Sequence, residues 1–437
     1  MIERHISEAG AGATVPPAED TQLQPDTSVG EPLPGGQAAA AVASAPSEVG
    51  TADDESAGTT AELGEEATRE QVPAPGSADD RWDPEDEEGT VTRSTAGPRL
   101  ALGFNLAKIA GHGEDADPIV RHGRHLGLVA VFDGMGGAGG TQYETAQGPR
   151  TGAYLASRVA RDVVEPRMLS LLDPEWNLDG PAAARELQST VKQALAETLT
   201  ELNAPTSGLR SRLIRALPTT MAMMALQRRD SQGDRWAGHL LWSGDSRVYV
   251  FEPQTGAHQL TTDDIKDAGD AMVNLRQDSV LSNVMSADTD FVVRHREVEI
   301  GSPFVAVAAT DGCFGYLPSP MHFEHLVLSA LRDSRDAEHW STAMQSAISA
   351  VTGDDAAMGL LAVGADHAEL QELFAARTTE LERRWISPLD ELSAEVRRAE
   401  EALQQARHRQ TSGQAQLWGA YKDQYERYFH ASDEGRV

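Results

Sequence analysis

Five short segments of the sequence set carboxylates beside glycine. They are Gly113-Glu114-Asp115-Ala116-Asp117, Val131-Phe132-Asp133-Gly134-Met135-Gly136-Gly137, Ser243-Gly244-Asp245-Ser246-Arg247, Ala309-Thr310-Asp311-Gly312 and Gly353-Asp354-Asp355. Carboxylates that converge on one point repel each other unless a hard cation joins them. Glycine lets a backbone carbonyl approach the same ion. A donor set made only of oxygen suits Mg²⁺ or Mn²⁺ rather than zinc. Taken singly, each Asp-Gly pair is also an ordinary turn signal. The chemistry therefore depends on whether the chain brings the segments together.

Several of these segments adjoin short apolar runs bounded by Gly and Asp. The runs are Leu126–Phe132, Thr220–Leu226, His239–Trp242, Val248–Phe251, Phe304–Ala309 and Met358–Val363. Runs of this length predict strands rather than helices. Amphipathic stretches at Thr151–Val164, Pro181–Leu202, Met321–Arg332 and Ala337–Val351 predict helices. Strands and helices cluster instead of alternating, which points to an α+β domain rather than a doubly wound sheet. Residues 98–365 are ample for one such domain.

The same segments resemble the metal-dependent protein phosphatase 2C family, the PPM-type Ser/Thr phosphatases. The family's VFDGMGG stands at Val131–Gly137, and its GDSRxY element is whole at Gly244–Tyr249. Its Gly-Thr-Thr strand is matched by Pro218-Thr219-Thr220, followed later by a Leu-Thr-x-Asp-like element at Leu260–Asp263. Its Ser-Asp-Gly is matched by Thr310-Asp311-Gly312, its closing Asp-Asn by Asp354-Asp355, and its opening Asn-Glu-Asp by Gly113-Glu114-Asp115. All occur in family order over residues 98–365.

The resemblance implies a two-sheet β-sandwich flanked by helix pairs. It also implies a binuclear Mn²⁺ or Mg²⁺ centre, with Asp133, Asp311 and Asp354 as the central carboxylates. Asp133 would bridge both ions, and Asp311 and Asp354 would complete one of them. Glu114 and the Gly134 carbonyl would serve the other. Asp115 and Asp245 are further candidates. The implied activity is hydrolysis of phospho-Ser/Thr monoesters on proteins by a metal-activated water, with no covalent phosphoenzyme.

Three positions depart from the family pattern. The Arg that grips substrate phosphate, four residues before the Glu of the first motif, is Ala110 here; Lys108 or His112 could stand in, without a bidentate fork. Met135 stands where some relatives have His, so no protein general acid is assigned. Gly315 replaces the Asp that would pair with Asp245 at a third ion, which leaves two ions expected. Residues Asp263–Asp290 fall where the family carries a flap. The alternative is a phosphatase-fold signalling or binding module with weak or no activity.

Other chemistries fit less well. Asp115-Ala116-Asp117 resembles the nucleophile loop of haloacid-dehalogenase-type phosphatases but lacks a buried strand before it. Cys313 has Ser319 where a cysteine phosphatase needs Arg, and reads as a small core residue. His112, His122 and His125 have no zinc spacing and read as surface residues.

Composition narrows the class further. The 437 residues include 37 Lys+Arg against 68 Asp+Glu, a net charge of -31. Such a surface repels a phosphate backbone, so nucleic acid is not an expected partner. One Cys excludes an internal disulfide framework. No apolar run approaches the ~20 residues of a membrane helix. The N-terminus lacks the basic and apolar regions of a secretory signal, so a cytoplasmic protein with no membrane partner is expected.

The two ends differ from the middle. Residues 1–97 carry 21 acidic and 4 basic side chains, nine prolines and one aromatic, Trp82, the composition of a disordered acidic tail. Residues 366–437 read as a helical extension. Ser387-Pro388 predicts the start of a new helix, and Thr411-Ser412-Gly413 predicts a break. Trp418, Tyr421, Tyr425 and Tyr428 then fall on one helical face. That face must pack on its own protein, or on a partner or second copy.

Overall fold

The computed structural model describes residues 97–428 apart from 147, 173–176, 203–214, 230–233, 267–268 and 276–279. Apart from Gly97, the expected acidic tail lies outside the described residues. In chain order the elements begin β1 (Pro98–Leu106), β2 (Ile119–His122), β3 (Leu126–Val131), α1 (Gly136–Gly139), β4 (Gln142–Thr145) and β5 (Gly148–Thr151). They continue with α2 (Gly152–Leu171), α3 (Gly180–Glu201), β6 (Met221–Arg228), β7 (Arg235–Ser243), β8 (Arg247–Glu252), β9 (Gly256–Gln259) and α4 (Ala271–Asn274). Then come β10 (Arg294–Gly301), β11 (Phe304–Ala309), α5 (Pro320–Asp333), α6 (Ala337–Ser349), β12 (Ala356–Val363), α7 (His367–Leu381) and α8 (Ser387–Tyr425).

Ten of the strands form two five-stranded antiparallel sheets, ordered β10-β7-β6-β3-β2 and β1-β12-β11-β8-β9. Strands β4 and β5 make a separate hairpin. This is the α+β two-sheet architecture that the resemblance implied. Three apolar layers hold it together. Between the sheets lie Val129, Val131, Met224, Leu240, Val250, Ala306 and Leu361. Outside the first sheet, α2 and α3 pack through Ala156, Ala160, Leu187 and Val191 onto Leu128, Met223 and Leu241. Outside the second, α5, α6 and α7 pack through Phe323, Trp340 and Phe374 onto Phe251, Val307 and Leu360.

The layering explains the sequence texture. In β11, Val305, Val307 and Ala309 face the outer helices, while Phe304, Ala306 and Ala308 face the other sheet. A strand buried on both faces has no polar side to alternate with, so it reads as one apolar run. All six predicted apolar runs are strands, and all four predicted amphipathic stretches are helices. Strands β1, β2, β9 and β10 were not predicted. All four are sheet edges, whose outer side needs no apolar residue. In β10 the sequence RHREVEIG is mostly exposed, with only Ile300 buried.

The C-terminal expectation needs correction at two points. No helix starts afresh at Ser387-Pro388, because α7 runs through a π-turn at Glu382–Ile386 directly into α8. The widened turn accommodates Pro388, which has no N–H to donate. Thr411-Ser412-Gly413 does not break the chain either. One glycine costs a helix interior only about 1 kcal/mol, and good helix formers surround it. The halves also differ in environment. Leu370, Phe374 and Leu381 of α7, with Ile386, belong to the outer core, whereas α8 has no buried residue.

Phe374 is 1% exposed in that core. Phe374→Ala is expected to cost about 3–5 kcal/mol, read by urea titration. A chain ending at Ile386 should keep the full-length melting temperature, and one ending at Ala365 should not. Equal melting of both truncations would show that α7 contributes nothing to the core.

Candidate metal centre

The loops at one edge of the sandwich gather the carboxylates. Asp133 follows β3, directly after buried Val131 and Phe132. Its main-chain oxygen accepts from Thr220 N–H at 2.9 Å and from Thr219 Oγ1 at 2.6 Å, so β6 fixes its backbone. Asp311 follows β11 in a short 3₁₀ turn. Asp245 lies in the turn between β7 and β8, and Asp354 and Asp355 stand just before β12.

Asp115 ties these ends together. It is 2% exposed. Its Oδ1 accepts from Gly134 N–H at 3.2 Å, and its Oδ2 from Thr310 Oγ1 at 2.9 Å. Asp355 does the same for the outer loop: Oδ1 accepts from Lys108 N–H at 2.7 Å and Oδ2 from Glu114 N–H at 2.6 Å. Glu114 Oε1 accepts from Thr151 Oγ1 at 2.5 Å. Two glycines make this closeness possible. A Cβ at Gly134 would lie 2.4 Å from the Glu114 carbonyl oxygen, and one at Gly312 would lie 1.8 Å from that of Asp355.

The electrostatics follow from the crowding. Burial raises the Asp133 carboxyl well above the ordinary range, and the negative charges of Asp115, Asp311 and Asp245 add to it. Burial is also the largest cause at Asp115, raised further by Asp311 and Asp355 and opposed by the Thr310 hydrogen bond. Burial, with Asp311 and Asp263, pushes Asp245 up to about 8. Asp311 is raised by burial and by Asp354. Glu114 is raised by burial and by Asp355 and Asp354, against the Thr151 hydrogen bond. Asp133 and Asp311 lie close enough for the charge of Asp311 to raise Asp133.

The charge of Arg247 opposes the rise at Asp245 and Asp311 only as a minor contribution. Among the described residues, Asp115, Asp133, Asp245 and Asp311 form no ion pair. Arg247 itself is committed to Asp263 through bonds of 2.9 and 2.6 Å and lies over the Phe314 ring. A divalent ion would relieve the repulsion, and the all-oxygen donor set fits a hard one. As the side chains are placed, no group of three or more His, Cys, Asp or Glu among the described residues forms a ready metal cage.

The sequence-derived candidates therefore divide. Asp133, Asp311, Asp115 and Asp245 come together, and the charge of Asp354 acts on both Asp311 and Glu114. Gly134 is placed by its bond to Asp115. Ala110, Lys108 and His112 are all exposed on the outer loop. His122 and His125 flank the β2–β3 turn, at the end of β3 away from Asp133. Cys313 is buried, its thiol donating to the Ala357 carbonyl at 3.3 Å and pushed far up by burial. It is a core residue and no nucleophile.

Two arginines were missed. Arg150 on β5 donates through Nη1 to the Gly111 carbonyl at 3.1 Å, and its guanidinium lies 4.6 Å from the Tyr154 ring centroid. Its Nε is buried without a hydrogen-bond partner among the described residues. Arg158 on α2 covers the same ring at 3.6 Å and donates to the carbonyls of Glu114 and Gly113 at 3.1 and 3.2 Å. Both reach the outer loop from later in the chain. Only an Arg-Thr pair after the glycine-rich motif could have pointed to them.

No protein-family model matches the sequence, and no curated protein matches it either. Solved structures do. The Mycobacterium tuberculosis serine/threonine phosphatase PstP/Ppp matches at 18% identity and TM-score 0.42, over 61% of this chain and 99% of that one. The PPM Ser-Thr phosphatase MsPP from Mycobacterium smegmatis, solved with cacodylate, matches at 14% identity and TM-score 0.40, over 61% and 100%. The catalytic domain of PstP in complex with 2 manganese ions matches at 16% identity and TM-score 0.40, over 61% and 98%. Among the described residues of this chain, no helix is long and apolar enough to cross a membrane.

A pH test follows from the carboxyl of Asp245, pushed up to about 8. Between an unfolded value near ~4 and that folded value, the folded chain keeps a proton that the unfolded chain releases, so stability falls as pH rises. In chelator, the melting temperature should drop from about pH 4 to about pH 8, and Asp245→Asn should flatten part of the drop. Added Mn²⁺ should restore melting at the alkaline end. Melting independent of pH and of Mn²⁺ would show that the cluster is not under strain.

Proposed function

We propose that this protein is a metal-dependent phosphoprotein phosphatase that hydrolyses phospho-Ser/Thr monoesters. One observation carries the reading: four loop motifs deliver Asp115, Asp133, Asp245 and Asp311 to a single acidic cluster that forms no ion pair among the described residues. The motif order supports the same reading. A pure binding module has no physical need for a cluster that destabilises its own fold.

Two Mn²⁺ or Mg²⁺ ions are proposed, and when bound they would acidify a shared water and neutralise charge on the phosphoryl group. Asp133, Asp311 and Asp354 would hold one, and Asp133, Glu114 and the Gly134 carbonyl the other. Asp115 positions the Gly134 main chain through its hydrogen bond at 3.2 Å. Thr151 orients Glu114, and Asp355 clamps the loop that carries it. Asp245, with its raised carboxyl, holds a proton near the cluster at neutral pH. Arg150 would grip the substrate phosphate in place of the Arg that Ala110 replaces. It adjoins Thr151, which touches Glu114, and its guanidinium has donors beyond the one bound to Gly111. The alternative, a binding module with weak or no activity, draws on the exposed Ala110 and on side chains that form no ready metal cage among the described residues.

The deciding assay is Mn²⁺-dependent hydrolysis of para-nitrophenyl phosphate. The wild type should be active, lose activity in chelator and regain it with Mn²⁺, while Asp133→Asn should be inactive. Arg150→Ala should raise KM about 10- to 100-fold, matching the roughly 1.5–3 kcal/mol of a charged hydrogen bond. Wild-type inactivity with tightly bound Mn²⁺ would favour the binding module. An unchanged KM in Arg150→Ala would remove that residue from the phosphate site.

A further inference from the structure

Helix α8 spans 39 residues without burying any of them. At ~1.5 Å per residue that is about 58 Å of isolated helix. Its exposed surface is not uniformly polar. Positions 389, 392, 396, 399, 403, 406, 410, 413, 417 and 420 follow alternating steps of three and four, and they carry Leu, Leu, Val, Ala, Leu, Ala, Gln, Gly, Leu and Ala. This is the heptad spacing of a coiled-coil seam. Leu392 is 60% exposed, Val396 56%, Leu403 52% and Leu417 73%. Beside the seam, Trp418 and Tyr421 widen the apolar face in the last turns.

The geometry points to a second copy of this chain as the occupant of that face, with the two α8 helices antiparallel. Size complementarity is the first reason. In an antiparallel register, Leu389 meets Ala420, Leu392 meets Leu417, Val396 meets Gly413, and Leu403 meets Ala406 of the other copy. A large residue fills the space left by a small one in three of these four layers. A parallel pair stacks Ala399, Ala406, Gly413 and Ala420 each on itself and leaves the seam hollow there.

Charge is the second reason. Residues 387–403 carry Asp390, Glu391, Glu395, Glu400 and Glu401 against Arg397 and Arg398. Residues 404–425 carry Arg407, Arg409 and Lys422 against Asp423. Antiparallel pairing lays the acidic half on the basic half and sets Glu400 beside Arg407 of the other copy. Parallel pairing lays acid on acid and sets Glu395 beside Glu400. Opposite flanking charges select orientation in coiled coils. The inference is independent of the phosphatase reading, since it uses no residue of the acidic cluster.

The test uses the full chain. Light scattering with size separation should give twice 46.9 kDa at micromolar concentration. Leu392→Glu combined with Leu417→Glu should give a monomer that keeps the phosphatase-domain melting transition and the phosphomonoester activity of the parent, whatever that activity is. Orientation is read by oxidative crosslinking. Leu392→Cys alone and Leu417→Cys alone should form no disulfide-linked dimer, while an equal mixture of the two should. A monomeric wild type overturns the proposal and leaves the face to the protein's own remaining chain or a different partner. A dimer that survives the double Glu change places the interface elsewhere. Crosslinking of Leu392→Cys with itself overturns the antiparallel arrangement.

Discussion

Mutual repulsion among a few carboxylates is the constraint around which the sandwich is organised. Asp133, Asp245 and Asp311 stand beside strand ends, and Asp115 is tied to them through the Ala116 N–H bond to the Phe132 carbonyl, so their main chains cannot drift apart. Their side chains would separate if they could. What prevents it is a frame of neutral donors: Thr219 and Thr220 hold the backbone of Asp133, Thr310 and Gly134 hold Asp115, and Gly312 lets the Asp311 turn pass close to Asp355. Hydrogen bonds of this kind add only ~1 kcal/mol each. They suffice because the strands behind them are anchored by apolar layers on both faces.

Those layers also decide which arginine can act. Arg247 belongs to the conspicuous Gly-Asp-Ser-Arg motif, yet it is 4% exposed by side chain and held bidentately by an equally buried Asp263. Breaking a pair like that leaves an uncompensated buried charge. The residue therefore fixes the base of the segment after β9 and is not available to a ligand. Arg150 and Arg158 have the opposite character. They share the Tyr154 ring and form no ion pair among the described residues; Arg150 donates to the Gly111 carbonyl, and Arg158 to the carbonyls of Gly113, Glu114 and Tyr154 and to Ser157 Oγ. A carbonyl leaves most of a guanidinium's donors free.

Helices α7 and α8 show how one continuous helical run can serve two purposes. The π-turn between them marks the point where the environment changes from core to solvent. Before it, apolar residues face the sheet. After it, the apolar stripe continues at heptad spacing, and among the described residues none of α8 is buried. The pattern along α8 is ordered in both residue size and charge, which an incidental solvent-facing spacer does not require.

The acidic motifs, their family-like order and the α+β class were legible in the sequence, because each rests on short-range information. Doubly buried strands such as β11 and β12 betray themselves as apolar runs, and Asp-Gly turns mark their ends. Edge strands did not show, since β10 is apolar only at Val298 and Ile300 and otherwise spells Arg, His, Glu and Gly. Nor could the sequence show that Asp115, a less certain candidate, is the most deeply buried member of the cluster, or that Arg150 lies where Ala110 offers nothing. Those facts depend on residues far apart in the chain meeting through Thr310, Gly134 and Thr151. The end of the chain made the same point in reverse. Ser387-Pro388 and Gly413 are strong local stop signals. Only the three-dimensional path showed that a widened turn and the surrounding helix formers carry the helix through them.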